Sequence, residues 1–199
     1  MPGEIVLRTL RHVWECLRPL NVPVAVAGGI ALSAWKHIRA TRDIDLLLAA
    51  DEEHLPELLG ALAASGMRLK RPLPAVQIGQ FDVIQLLYEP PESLMDVQVD
   101  LLLARSPYHL QAVQRRILAR LPELDFEVAV LTCEDLILHK LLAGRIIDRA
   151  DAAALLRINR RSLDLDYLTA WTARLSLARE LAEVWGEALP NEPLPGGTN

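Results

Sequence analysis

Asp43 and Asp45, two carboxylates two residues apart in the run Asp43-Ile44-Asp45, are the residues of this sequence best suited to chemistry. On a β-strand, residues two apart project from the same face. Both acids would then stand together while Ile44 enters the core. Paired hard oxygens on a rigid strand suit a divalent cation such as Mg²⁺, and without a cation, proton or partner they repel each other. The plainer reading of the pair is a solvated strand end balanced by Arg39 and Arg42. A third acid, Asp100, interrupts the apolar run from Val97 to Leu103. Buried acids are rare unless paired or metal-bound. If its strand lies beside the Asp43–Asp45 strand, three carboxylates converge. That set can hold two Mg²⁺ ions, which clamp the attacking and leaving oxygens of a phosphoryl displacement. Asp82 and Asp96 share the parity to compete with Asp100, with Asp96 read as a solvated acid where the strand begins.

The glycine pair Gly28-Gly29 follows the apolar run Val22 to Ala27 and precedes a helix-like segment from Ile30. Glycine lets a phosphate approach the backbone, and a helix start offers unsatisfied N–H groups. The pair is therefore a candidate phosphate cradle, with ordinary strand-to-helix turn chemistry as the alternative. It does not extend to a dinucleotide fingerprint. His37, His54 and His139 have no His or Cys at ligand spacing, which argues against zinc. No Ser–His–Asp or Cys–His arrangement is legible.

These residues need a scaffold, and the chain is long enough to build one. It has 199 residues, 51% apolar and 24% charged, which excludes disordered, collagenous and disulfide-scaffold classes. With 21 basic and 26 acidic residues the net charge is −5, disfavouring nonspecific coating of nucleic acid. Cys16 and Cys133, far apart, fit free thiols in a reducing cytoplasm. Glu4, Arg8, Arg11 and Glu15 break any signal-peptide apolar region, and Val22 to Trp35 is too short to span a bilayer, so a cytoplasmic protein without a membrane segment is expected.

Apolar spacing predicts a helix over 4–19 ended by Pro19, strands over 22–27 and 43–49, and a helix from Asp51 to Ser65 stopped by Gly66. Strands 81–88 and 97–103, separated by the turn Glu89-Pro90-Pro91-Glu92-Ser93, predict an antiparallel hairpin. A helix over 107–120 and a strand over 126–131 follow, and Thr132 is placed to cap a helix. The remainder reads as helices over 133–143, 148–157, 165–173 and 176–188. The expected class is α/β (α+β): a small mixed sheet flanked by helices over 1–131, a helical subdomain closing the cleft over 132–189, and a disordered tail over 190–199. Arg105, Arg115, Arg116 and Arg120 form one basic stretch, and Arg145, Arg149, Arg157, Arg160 and Arg161 another. Either is a landing surface for RNA or simply a solvated helix face.

Gly28-Gly29, thirteen residues, then Asp43-Ile44-Asp45 resembles the nucleotidyltransferase signature of the DNA polymerase β superfamily. The longer run, with Arg39-Ala40-Thr41-Arg42 before the acids and Val99-Asp100-Leu101-Leu102 later, is similar to minimal nucleotidyltransferases of the AbiEii type. The likeness continues through Glu134 to Arg145 and on to Asp148 and Asp151. It implies a Mg²⁺-dependent transfer of a nucleoside monophosphate from an NTP to an acceptor hydroxyl. It gives Asp43, Asp45 and Asp100 the metals, with Asp100 also a possible base, and Gly28, Gly29, Ser33 and Lys140 the triphosphate. An ammonium at Lys140 beside Leu136, Ile137 and Leu141 needs an anionic partner in any case; Asp135 or Glu134 would serve on a surface. Asp148 could instead cap the next helix, and Asp151 could pair with Arg145 or Arg149. The implied acceptor is RNA, a tRNA 3′ end, in a toxin-like role with a cognate antitoxin. The alternatives are an antitoxin-like enzyme that nucleotidylates a partner toxin, and a silent nucleotide- or partner-binding module.

Overall fold

The computed structural model describes residues 3–91, 93–121 and 126–194. Glu92 of the expected turn and residues 195–199 of the expected tail lie outside them. The chain divides into two compact units, one of residues 1–34 and 38–131, the other of 35–37 and 132–199.

The first unit is built on a mixed sheet, eight strands among the described residues. Helix α1 (Glu4–Leu17) buries Val6, Leu10, Val13 and Leu17, one stripe at helical spacing, and a 3₁₀ turn through Pro19 ends it. Strand β1 (Val24–Val26) runs into helix α2 (Gly28–Ala34), and β2 (Asp43–Leu48) returns antiparallel to β1. Helix α3 (Leu55–Ala64) follows a turn in which His54 N–H donates to the Asp51 carbonyl. The short edge strands β3 (Arg68–Leu69) and β4 (Val76–Ile78) both pair with β5 (Phe81–Tyr88), which forms the expected hairpin with β6 (Val97–Leu103). Helix α4 (Pro107–Gln114), β7 (Ile117–Arg120) and β8 (Glu127–Val130) complete the unit. The sheet order is β3-β5-β6-β2-β1-β8-β7, with β4 beside β5. The pairs β2–β6 and β1–β8 are parallel.

The expected helix over 107–120 is too long. Ser106 caps α4 by accepting from His109 N–H, the helix stops at Gln114, and residues 117–120 become a strand opposite β8. Pairing with β8 overrides the local helical pattern.

The second unit is helical: α5 (Cys133–Ala143), α6 (Ile146–Asn159), α7 (Leu165–Arg174) and α8 (Ala178–Ala188). Thr132 caps α5 as expected, its hydroxyl accepting from Asp135 N–H at 3.2 Å. Gly144, at φ 67°, ends it in the left-handed conformation that glycine adopts without penalty. The segment 35–37 packs with this unit: Asn159 donates to the Trp35 carbonyl and His37 meets Asp151 at 3.2 Å. Among the described residues no helix is long and apolar enough to cross a membrane.

Candidate active site

The register of two parallel strands assembles the acids. Asp45 on β2 lies directly opposite Asp100 on β6, and Asp43 lies opposite Gln98. Along β2 the intervening Ile44 is buried and along β6 so is Val99, whereas Asp43, Asp45, Gln98 and Asp100 are half-buried. All four therefore stand on one face, while Ile44 and Val99 fill the other. Asp82 is excluded from this set: it pairs with Leu103, three positions from Asp100, and so projects from the opposite face. There it lines a cavity of about 790 Å³ with Ile84, Leu103 and Leu55. Asp96 has the right parity but is held outside by Arg68 at 2.6 Å.

The glycines explain the tight turn that meets these acids. Ala27 N–H donates to the Asp45 carbonyl at 2.8 Å, so the chain enters Gly28 already tied to β2. Gly28 has φ 55°, and a Cβ there would lie 1.8 Å from Asp45 Oδ2. A Cβ on Gly29 would lie 2.6 Å from Thr41 Oγ1. Both glycines are thus required so that the turn can press against the acidic strand, whatever else approaches their backbone. Thr41 continues the contact, donating its hydroxyl to Asp43 Oδ1 at 2.6 Å.

Asp100 is held from the other side. Gln98 donates its amide N–H groups to both carboxylate oxygens, at 2.8 and 2.9 Å, and Gln85 adds a longer bond at 3.3 Å. The Gln98 carbonyl in turn accepts from Lys70 Nζ at 2.5 Å. Burial pushes the Asp100 carboxyl above its ordinary value, the two glutamine bonds oppose that, and the Asp43 charge adds to the rise while Lys70 counters it. Among the described residues no three His, Cys, Asp or Glu side chains stand grouped as a ready metal cluster. Asp43 and Asp100 accept from neutral protein donors, the Thr41 hydroxyl and the Gln85 and Gln98 amides. The donor set fits a hard divalent cation: three carboxylates in two adjacent, registered rows.

Thr41, Gln85, Gln98 and Lys70 were not singled out by sequence reasoning. The available signal was weak, a polar residue inside an apolar strand for the two glutamines. Ser33 is buried and donates to the Ile30 carbonyl of its own helix at 2.8 Å. Lys140, in the helical unit, is buried rather than on a surface. Its partners are Asp148 at 3.0 Å and Asp151 at 2.9 Å, not Asp135 or Glu134. Asp148 also receives Arg145, and Asp135 receives the Tyr167 hydroxyl. Much of the second basic stretch is occupied within its own unit: Arg149 by Glu183 and Glu187, Arg157 by the carbonyls of Glu187 and Ala188, Arg160 by Glu192. In the first stretch Arg105 reaches Glu52 at 3.8 Å and Arg116 donates to the Val113 carbonyl.

A turn of two glycines against an Asp-Ile-Asp strand, with a third Asp in register on the next strand, is the arrangement of a nucleotidyltransferase core. Solved structures share the fold. An antigenic nucleotidyltransferase-like protein from Paracoccidioides brasiliensis superposes with a TM-score of 0.54 at 17% identity, over 95% of this chain and 99% of that one. JHP933 from Helicobacter pylori does so at 0.52 and 14%, over 98% and 84%. The antibiotic-resistance factor ANT(2″)-Ia gives 0.56 and 16%, over 87% and 94%. No curated protein matches in sequence. The family model described as nucleotidyl transferase AbiEii toxin, type IV toxin–antitoxin system, matches residues 15–157. The chain belongs to this AbiEii family and is a nucleotidyltransferase.

Proposed function

We propose that the protein transfers a nucleoside monophosphate from an NTP to a hydroxyl of RNA, a tRNA 3′ end, in a toxin-like role. The observation that carries the chemistry is the registered acidic face, Asp43 and Asp45 on β2 beside Asp100 on β6. The family's toxin–antitoxin description supports the toxin-like role and a cognate antitoxin as partner; the RNA acceptor is the part that the labelling test decides. Asp43, Asp45 and Asp100 would hold two Mg²⁺ ions, which when bound neutralise charge on the reacting phosphate and orient it. Gly28 and Gly29 present backbone N–H groups at the edge of that face for the triphosphate. Ser33 joins them from α2, giving up its bond to the Ile30 carbonyl; Lys140 is occupied by Asp148 and Asp151 within its own unit. Asp100 accepts the proton of the attacking hydroxyl on a carboxylate oxygen. The acceptor oxygen bonds to the α-phosphorus as the bond to the β-phosphate oxygen breaks, and pyrophosphate leaves.

The test is incubation with Mg²⁺ and each α-labelled NTP, with total RNA or with cell lysate, beside Asp45→Ala. Label on RNA that vanishes in the variant is the expected result. Label confined to a protein band would replace the RNA acceptor with a partner toxin. Undiminished transfer by Asp45→Ala would refute the mechanism.

A further inference from the structure

We infer that Lys70 holds an anionic group of the acceptor, a backbone phosphate near the attacking hydroxyl, on the flank of the acidic face away from the glycine pair. The inference rests on the proposed transfer from an NTP to RNA, and it assigns the side from which the RNA enters.

The sheet order sets the directions. The acids occupy β2 and β6, β1 with its glycine turn lies on one side, and β5 then β3 lie on the other. In an in-line displacement the attacking and leaving oxygens sit on opposite sides of phosphorus. With the triphosphate on the β1 side, the leaving pyrophosphate departs there, and the acceptor must lie over β6, β5 and β3.

What that flank offers is polar and specific. Lys70 follows β3, and its N–H donates to the Gln85 carbonyl at 2.8 Å, fixing its position against β5. Its side chain reaches across β5 to Gln98 on β6, the residue whose amide holds Asp100. The ammonium is thereby placed one side chain from the proposed base. Arg68 on the same edge is neutralised by Asp96. Lys70 makes no ion pair among the described residues, and the amide oxygen it touches cancels none of its charge. An ammonium has three donors, and one is given to Gln98. The exposed cation that remains suits an anion arriving from solvent and opposes a cationic acceptor.

The contact also explains the sense of the Gln98 amide. With its oxygen on Lys70, the amide must present its N–H groups to Asp100. An acceptor phosphate that draws Lys70 away would loosen this hold at the moment Asp100 is needed.

Steady-state transfer from α-labelled NTP to total tRNA tests this with Lys70→Met and Lys70→Arg. Lys70→Met is expected to raise the acceptor KM about tenfold and to lower the slope of log affinity against log salt by about one. The NTP KM stays as in the wild type, kcat falls by less than the acceptor KM rises, and Lys70→Arg restores most of the affinity. A fall in kcat with the acceptor KM and salt slope unchanged would overturn the proposal, leaving Lys70 as a positioning residue for Asp100. A raised NTP KM would place it on the triphosphate instead. If the wild type transfers to no RNA, the RNA reading itself fails and takes this one with it; wild-type transfer with an indifferent Lys70→Met overturns only this one.

Discussion

Replacing Gly28 with alanine tests the link between the turn and the acids most directly. The new Cβ would stand 1.8 Å from Asp45 Oδ2, 2.5 Å from its Cγ and 2.9 Å from its Cβ. Real carbon contacts keep at least about 3.0 Å, so the carboxylate or the turn must retreat by roughly 1.2 Å. A shift of about 1 Å in a reacting group costs on the order of a hundredfold in rate. The φ of 55° adds about 1–2 kcal/mol of backbone strain for a residue with a Cβ. In a chain of this size that lowers Tm by roughly 2–8 °C. Gly28→Ala should therefore lose about a hundredfold in transfer of labelled NMP while still unfolding cooperatively. Two internal controls come from Gly60 and Gly186, helical glycines whose added Cβ would meet nothing within 4 Å. Alanine at either should raise stability by about 0.5–1 kcal/mol and spare activity. The double variant Gly28→Ala/Asp45→Ala should melt above the sum of the single effects, since the second change removes the atom struck by the first. A Gly28→Ala protein with wild-type activity and melting, or a strictly additive double variant, would refute the reasoning.

Other outcomes follow from the helical unit and the thiols. Lys140→Met leaves Asp148 and Asp151, 0% and 2% exposed, without their shared cation. A loss of about 3–5 kcal/mol is expected in urea unfolding. Burial disfavours the Asp148 charge, but Arg145 and Lys140 outweigh it and hold the carboxyl below its ordinary value. Its contribution is therefore complete above the unfolded carboxylate value near about pH 4 and fades as pH falls through the lower native one. Acid melts of Lys140→Met should begin at higher pH than those of the wild type. Burial, then the neighbouring Glu134, push the Cys133 thiol up, so a thiol reagent should modify half-buried Cys16 first and Cys133 only on unfolding.

The acidic set was legible because its signal is periodic. Two residues apart on a strand fixes a shared face, and an acid inside an apolar run demands a reason; both hold at Asp43, Asp45 and Asp100. Most helices were legible by the same logic of apolar spacing, capped at Thr132 and stopped at Gly144. What escaped depends on pairing between strands, which no local pattern fixes. Strand β7 is a strand because β8 lies beside it, and β3 and β4 exist through β5. Parity alone could not separate Asp82 from Asp100, since the register across the hairpin decides which face each takes. Gln98 and Lys70 matter only through each other, and no spacing in the chain announces a bond between residues 28 apart. The spacing of the glycine pair suggests a place for phosphate; its nearest demand is room for Asp45 and Thr41.

Residues 35–37 belong to the helical unit although the chain on either side of them belongs to the first. During synthesis they emerge 95 residues before Thr132 opens the rest of that unit (132 − 37), so for most of translation the Trp35 carbonyl lacks Asn159 and His37 lacks Asp151. The helical unit is therefore the last part able to reach its final state. A nick or a permuted terminus at residue 131 would not release a self-sufficient piece, because the excised fragment would leave three of its own residues behind.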